Sequence, residues 1–175
     1  MLNENRIARH LLANFEASWN ILRQSIENVP DEMWAKGIEK VEIPWSETEG
    51  MNVWYFSERV YHIIETVEFY NRDDPSGMQW GGRIGGIDWK KESPQETATR
   101  ISKDDMLEYL EKTRENLKKK LSTLSDDDMF EKDGFEKWQP SRLYKYIYTL
   151  RHNMWHIGEL SKTLREYDCQ RTEWK

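Results

Sequence analysis

His152 and His156 stand four residues apart in a stretch of helix-forming residues near the end of the chain. At i and i+4 on a helix, two imidazoles project side by side from one face, a common way for a helix to hold a transition metal. A third imidazole from His62 would give a three-histidine site with open coordination positions, the arrangement that activates water or polarises a bound group. Glu159 and Glu65, each three residues after a histidine, are candidates for orienting an imidazole or for serving as a base. Ordinary alternatives stand beside each of these. Histidine pairs at this spacing also occur at surfaces and interfaces, a lone His62 also serves as a packing residue, and a glutamate at i+3 is often only solvated. His10 lies at the flank of the first helix's apolar stripe, as an accessory residue or plain helix surface. A ferritin-like di-iron site needs Glu-x-x-His on two helices. Arg59, Thr149 and Asn153 occupy the positions three before the histidines, so that template fails and a mononuclear site is favoured.

The elements that must position these residues follow from apolar periodicity. Ile7, Leu11, Phe15, Leu22 and Ile26 predict a first helix from about Asn5 to Asn28. A Trp- and Pro-containing connection leads to a second, from about Val53 to Asn71, carrying Phe56, Val60, Ile64 and Val67. Residues 73–100 hold Pro75, Pro94 and five glycines from Gly77 to Gly86, and read as a long loop or small hairpin, a candidate cover. Ser102 and Asp105 resemble a capping box opening a third helix with Leu107, Leu110, Leu117, Leu121 and Leu124. The Asp126-Asp127-Asp128 run lacks the register of a calcium loop and reads as a solvated acidic turn that ends it. Pro140 fits the first turn of a last helix running to about Tyr167. The expectation is an all-α single domain over 1–175, a four-helix bundle with a long Gly-rich connection between helices 2 and 3 and no strong strand signal.

Helical angles sharpen the site. With Leu143 at zero, Ile147, Leu150, Met154 and Ile157 fall within about 40°, while His152 and His156 lie near 180° and 220°. Tyr148, Trp155, Glu159 and Thr163 share the histidine side. On the second helix, His62 lies about 180° from the Val60, Ile64 and Val67 stripe, beside Tyr55, Glu58, Glu65, Thr66 and Phe69. Both helices are expected to carry a second, ordered face away from the core.

Composition bounds the function classes. The 175 residues carry a net charge of −6 and one cysteine. That gives no disulfide framework, no thiolate-only zinc site and no basic field for nucleic acid. No apolar stretch approaches the ~20 residues of a bilayer span, and no leader or lipidation motif is evident, so a soluble cytoplasmic protein is expected. The 13% aromatic content with 9 Trp exceeds what a core alone asks for, and part of it is expected to line a pocket. Cys169, after Asp168 at a helix end, is a poor nucleophile candidate.

The pieces Arg59-Val60-Tyr61-His62 with Glu68, and Leu150 through Leu160 with its paired histidines, resemble the DinB-like (YfiT-type) four-helix-bundle proteins, as do Leu164-Arg165-Glu166 and Trp174. The resemblance spans nearly the whole chain. It implies a divalent metal, usually zinc or nickel, held by His62, His152 and His156 with water or substrate completing the shell. It also implies a homodimer, and an enzyme that transfers a low-molecular-weight thiol, as in bacillithiol S-transferases and mycothiol-dependent maleylpyruvate isomerases. The insert from Trp80 to Trp89 is not a general motif of that family. Arg83, Trp80 and Trp89 are candidate contacts for an anionic cofactor, since Arg matches carboxylate or phosphate and Trp covers apolar groups; the alternative is that they close the bundle end. Two other readings stay open: a metal-dependent hydrolase of a small amide or ester, and a non-catalytic dimeric binding or stress-response module.

Overall fold

The computed structural model describes residues 5–39, 53–81 and 98–174. It is mostly helical. In chain order come α1 (Arg6–Asn28), α2 (Asp31–Trp34), β1 (Gly37–Glu39), β2 (Val53–Tyr55), α3 (Phe56–Tyr70), α4 (Lys103–Ser122), α5 (Asp126–Phe130) and α6 (Arg142–Glu166). Each long helix packs on two others: α1 on α4 and α6, and α3 on the same two. Phe15, Leu22 and Ile26 from α1, Val60, Ile63 and Ile64 from α3, Leu110 and Leu117 from α4, and Ile157, Leu160 and Leu164 from α6 meet in one buried cluster. Removing these side chains from water is the main stabilising term, since most bury all of their apolar area.

Helix α3 begins later than the periodicity suggests. Val53–Tyr55 is a short strand paired antiparallel with Gly37–Glu39, in the register Gly37 to Tyr55 and Ile38 to Trp54. A β-branched residue followed by two aromatics favours extended backbone. Glu58 then accepts from the Tyr55 N–H at 3.4 Å and starts the helix. The capping box at α4 has the expected form, with Ser102 accepting from the Asp105 N–H and Asp105 reaching back.

The aspartate run is not a solvated turn. Ser125 and Asp128 form a second capping box, and Asp126–Phe130 is helical. Acidic side chains in a first turn complement the positive end of the helix dipole. Asp126 does more, since its Oδ1 accepts the Ile7 N–H at 2.8 Å and so caps α1 from another element. Pro140 stands one residue before the N-cap Ser141 rather than inside the first turn.

The largest correction concerns α6. Its buried residues are Lys145, Tyr146, Thr149, Asn153, Ile157, Leu160, Thr163 and Leu164. Against Leu143 at zero these span about 200° to 320°. Ile147, expected in the core, is 47% exposed, and Leu143, Leu150 and Met154 are only partly buried. The core face is therefore rotated by about 100° from the aliphatic stripe. Polar residues are drawn inward because partners wait there. The Lys145 ammonium, 1% exposed, pairs with Asp133, donates to the Arg72 carbonyl at 2.8 Å and sits over the Phe135 ring. At this end Gly134 donates its N–H to the Asp73 carbonyl at 2.7 Å, so close that an added Cβ would collide with the Asp74 backbone and side chain.

The C-terminus of α6 closes by a Schellman arrangement, with Cys169 N–H bonded to the Leu164 carbonyl and Asp168 N–H to the Arg165 carbonyl. Asp168 takes the left-handed conformation, φ 53°, that glycine usually fills. Among the described residues no helix is long and apolar enough to cross a membrane.

Candidate metal centre

The rotation of α6 places its histidines at the edge of the buried face, where α6 meets α3. His62 reaches across from α3, and its Nε2 lies 3.1 Å from Nε2 of His152. The three rings meet edge-on, with centroids 4.9 Å apart for His62 and His152, 5.1 Å for His62 and His156, and 4.5 Å for His152 and His156. One nitrogen from each of the three lies within 4.8 Å of the others, close enough to hold a metal ion. A tetrahedral ion with bonds of about 2.0–2.1 Å spaces its nitrogen ligands roughly 3.3 Å apart, so the His62–His152 pair already has the spacing.

The electrostatics suit ligation. Burial is the main cause that lowers the His62 pKa to about 3, helped by repulsion from His152, His156 and Arg59. Burial likewise lowers His152 to about 4, again with repulsion from His156. Both rings are neutral at pH 7 and carry the lone pair that a metal needs.

His156, whose side chain is 13% exposed, is fastened from behind. Its Nδ1 lies 2.7 Å from Glu159 Oε2 and 3.3 Å from Arg59 Nη1, and Arg59 Nε lies 3.3 Å from the same carboxylate oxygen. The shorter contact makes Nδ1 the donor to the carboxylate, which leaves Nε2 as the free lone pair. Burial pulls the Glu159 carboxyl upward, yet the His156 hydrogen bond and the Arg59 charge outweigh it and hold the group below the usual range. Glu159 is thus an anion at neutral pH, positioned to orient His156.

The other expected residues are placed differently. Glu65 is 5% exposed and accepts the Tyr61 hydroxyl at 3.2 Å and the Gly81 N–H at 2.5 Å, which ties the chain beyond α3 back onto that helix. Trp80 packs on Phe69 at 4.7 Å. From there rings continue through Tyr70 and Tyr148 to His152, with spacings of 4.9, 5.3 and 6.2 Å. Arg83 and Trp89 lie outside the described residues. Trp155, expected on the histidine side, is 70% exposed, and its side chain bonds Glu159, the partner of His156. His10 is exposed on α1. Cys169 is half-buried with Sγ 3.6 Å from Met33 Sδ.

Two residues of the site escaped the sequence reading. Arg59 lies about 60° from His62 on the same helix, so the angle calculation applied to the histidines would have found it. Asn153, fully buried beside His152, has no signal in a pattern that counts apolar residues. Comparison with known proteins found no protein-family model that matches the chain and no curated protein that matches it.

Proposed function

We propose that the protein is a divalent-metal-dependent enzyme built as a DinB-like four-helix bundle, with His62, His152 and His156 as ligands, and that it transfers a low-molecular-weight thiol to an electrophilic substrate. The observation that carries the reading is the convergence of three imidazoles from two helices, one of them fastened by a carboxylate. The 3.1 Å between the Nε2 atoms of His62 and His152 suits one hydrogen bond between neutral rings as well as two ligands of one ion, and it is the third ring, His156, within the same reach, that supports the metal reading. The closed ring of contacts among α1, α4, α3 and α6 supports the bundle. The homodimer belongs to the same reading.

Zinc or nickel bound here would supply Lewis acidity, bringing a coordinated thiol to its thiolate near neutral pH. The chain's own residues do the rest. His62 and His152 stay uncharged because burial disfavours their cationic forms. Glu159 takes the Nδ1–H of His156 and fixes its tautomer, while Arg59 neutralises Glu159 and competes for it as a partner. Tyr148 and Tyr70 extend the site on one side as an aromatic wall.

Metal analysis of protein purified without an affinity tag tests the reading. One zinc or nickel per chain is expected, with tight binding lost in His62→Ala, His152→Ala and His156→Ala and kept in His10→Ala. Metal-loaded protein is then assayed with a panel of cellular thiols and electrophiles. A substoichiometric metal content that added zinc or nickel cannot raise would remove the site. Thiol-independent turnover of esters or amides that follows metal content would replace transfer by hydrolysis.

A further inference from the structure

Asn153 is 0% exposed, and neither its Nδ2 nor its Oδ1 has a hydrogen bond among the described residues. Nδ1 of the adjacent His152 is also buried without one. Unmet buried polar groups cost stability, so a fully buried amide beside an unmet ring nitrogen needs an explanation. A neutral imidazole carries one proton. For His152 to turn the Nε2 lone pair towards a metal, that proton must sit on Nδ1, and a buried Nδ1–H requires an acceptor. His156 has the Glu159 carboxylate for this purpose.

We propose, resting on the metal reading above, that Asn153 is a positioning residue for His152: its carboxamide oxygen accepts the Nδ1–H of that ring and leaves Nε2 facing the metal. The two ligands of α6 are then oriented by partners of different charge, a carboxylate for His156 and a neutral amide for His152. A single neutral partner keeps the centre from gathering a second negative charge.

The test compares Asn153→Leu, which keeps the branched shape without the acceptor, with Asn153→Asp, which keeps an acceptor, and with Asn153→Ala in case leucine overpacks the site. Zinc affinity is measured by chelator competition, and stability of the metal-free protein by urea unfolding. Asn153→Leu or Asn153→Ala should weaken zinc binding about 10- to 100-fold. Metal-free stability of Asn153→Leu should hold or rise, and Asn153→Asp should bind zinc within a few-fold of wild type or more tightly. In the zinc-loaded wild type, nitrogen chemical shifts should place the His152 proton on Nδ1. Zinc affinity within two- to three-fold of wild type in both apolar variants, with His152→Ala still losing metal, would overturn the role of Asn153 and leave the metal reading intact. Parallel loss of stability and affinity in all three variants would make Asn153 structural only. A wild-type protein that binds neither zinc nor nickel removes both readings together.

Discussion

Taking the metal-free protein from pH 7 to pH 5 should cost it up to about 4 kcal/mol of stability, and the histidine pair is the source. An unfolded histidine titrates near 6.5, whereas in the fold burial lowers His62 to about 3 and His152 to about 4. Between these values the unfolded chain binds protons that the folded chain refuses. Stability is fully present above the unfolded pKa and falls as the pH drops towards the folded values. Integrated from pH 7 to 5, each ring contributes roughly 2 kcal/mol. The carboxyls that the fold pulls down, Asp73, Asp74, Asp128 and Glu159, titrate below this window and add little to it. Urea unfolding of chelator-treated protein at several pH values measures the slope, and the His62→Asn/His152→Asn double variant serves as control. The variant should be nearly flat between pH 7 and 5. A wild-type curve flat to within about 1 kcal/mol, or a fall that persists in the double variant, refutes the claim that burial holds these rings neutral.

Three further outcomes follow from single contacts. Glu159→Gln replaces an anionic acceptor by a neutral one at His156 Nδ1 and should weaken zinc binding about 10- to 100-fold in a chelator competition. Gly134→Ala drives a methyl group into the Asp74 backbone and should cost more than about 2 kcal/mol in urea unfolding, because backbone cannot move aside as a flexible side chain can. Asp168→Gly relieves a left-handed conformation at the C-terminus of α6 and should raise stability by about 0.5–1 kcal/mol, visible as a higher thermal midpoint.

The long helices and the three histidines were legible because both depend on local spacing. The Ser102 cap, the span of α1 and the i, i+4 pair each rest on contacts within a few residues. What periodicity missed depends on partners far along the chain. Ile147 looked like core, yet it is 47% exposed because the buried face of α6 lies about 100° from the aliphatic stripe. Lys145 enters the interior only because Asp133 and the Arg72 carbonyl meet it there. Asp126 looked like part of a solvated turn because its use, capping α1, involves a residue 119 positions away. The wrong core face on α6 still gave a sound conclusion about His152 and His156. They do lie off the aliphatic stripe, but at the margin of the buried face and not opposite it.

His62 and His152 are separated by 90 residues, and that interval sets a timetable during synthesis. At about 5–20 residues per second, His62 leaves the ribosome some 5–20 seconds before its partners. For that period α3 offers one imidazole and no centre. When α6 emerges it brings two candidate ligands at once, so on the proposed metal reading a nascent chain would take up an ion weakly on α6 alone and tighten its hold as α6 docks on α3. Metal capture and the final helix–helix closure would then be one event, and an ion present during translation would act on the last step of folding.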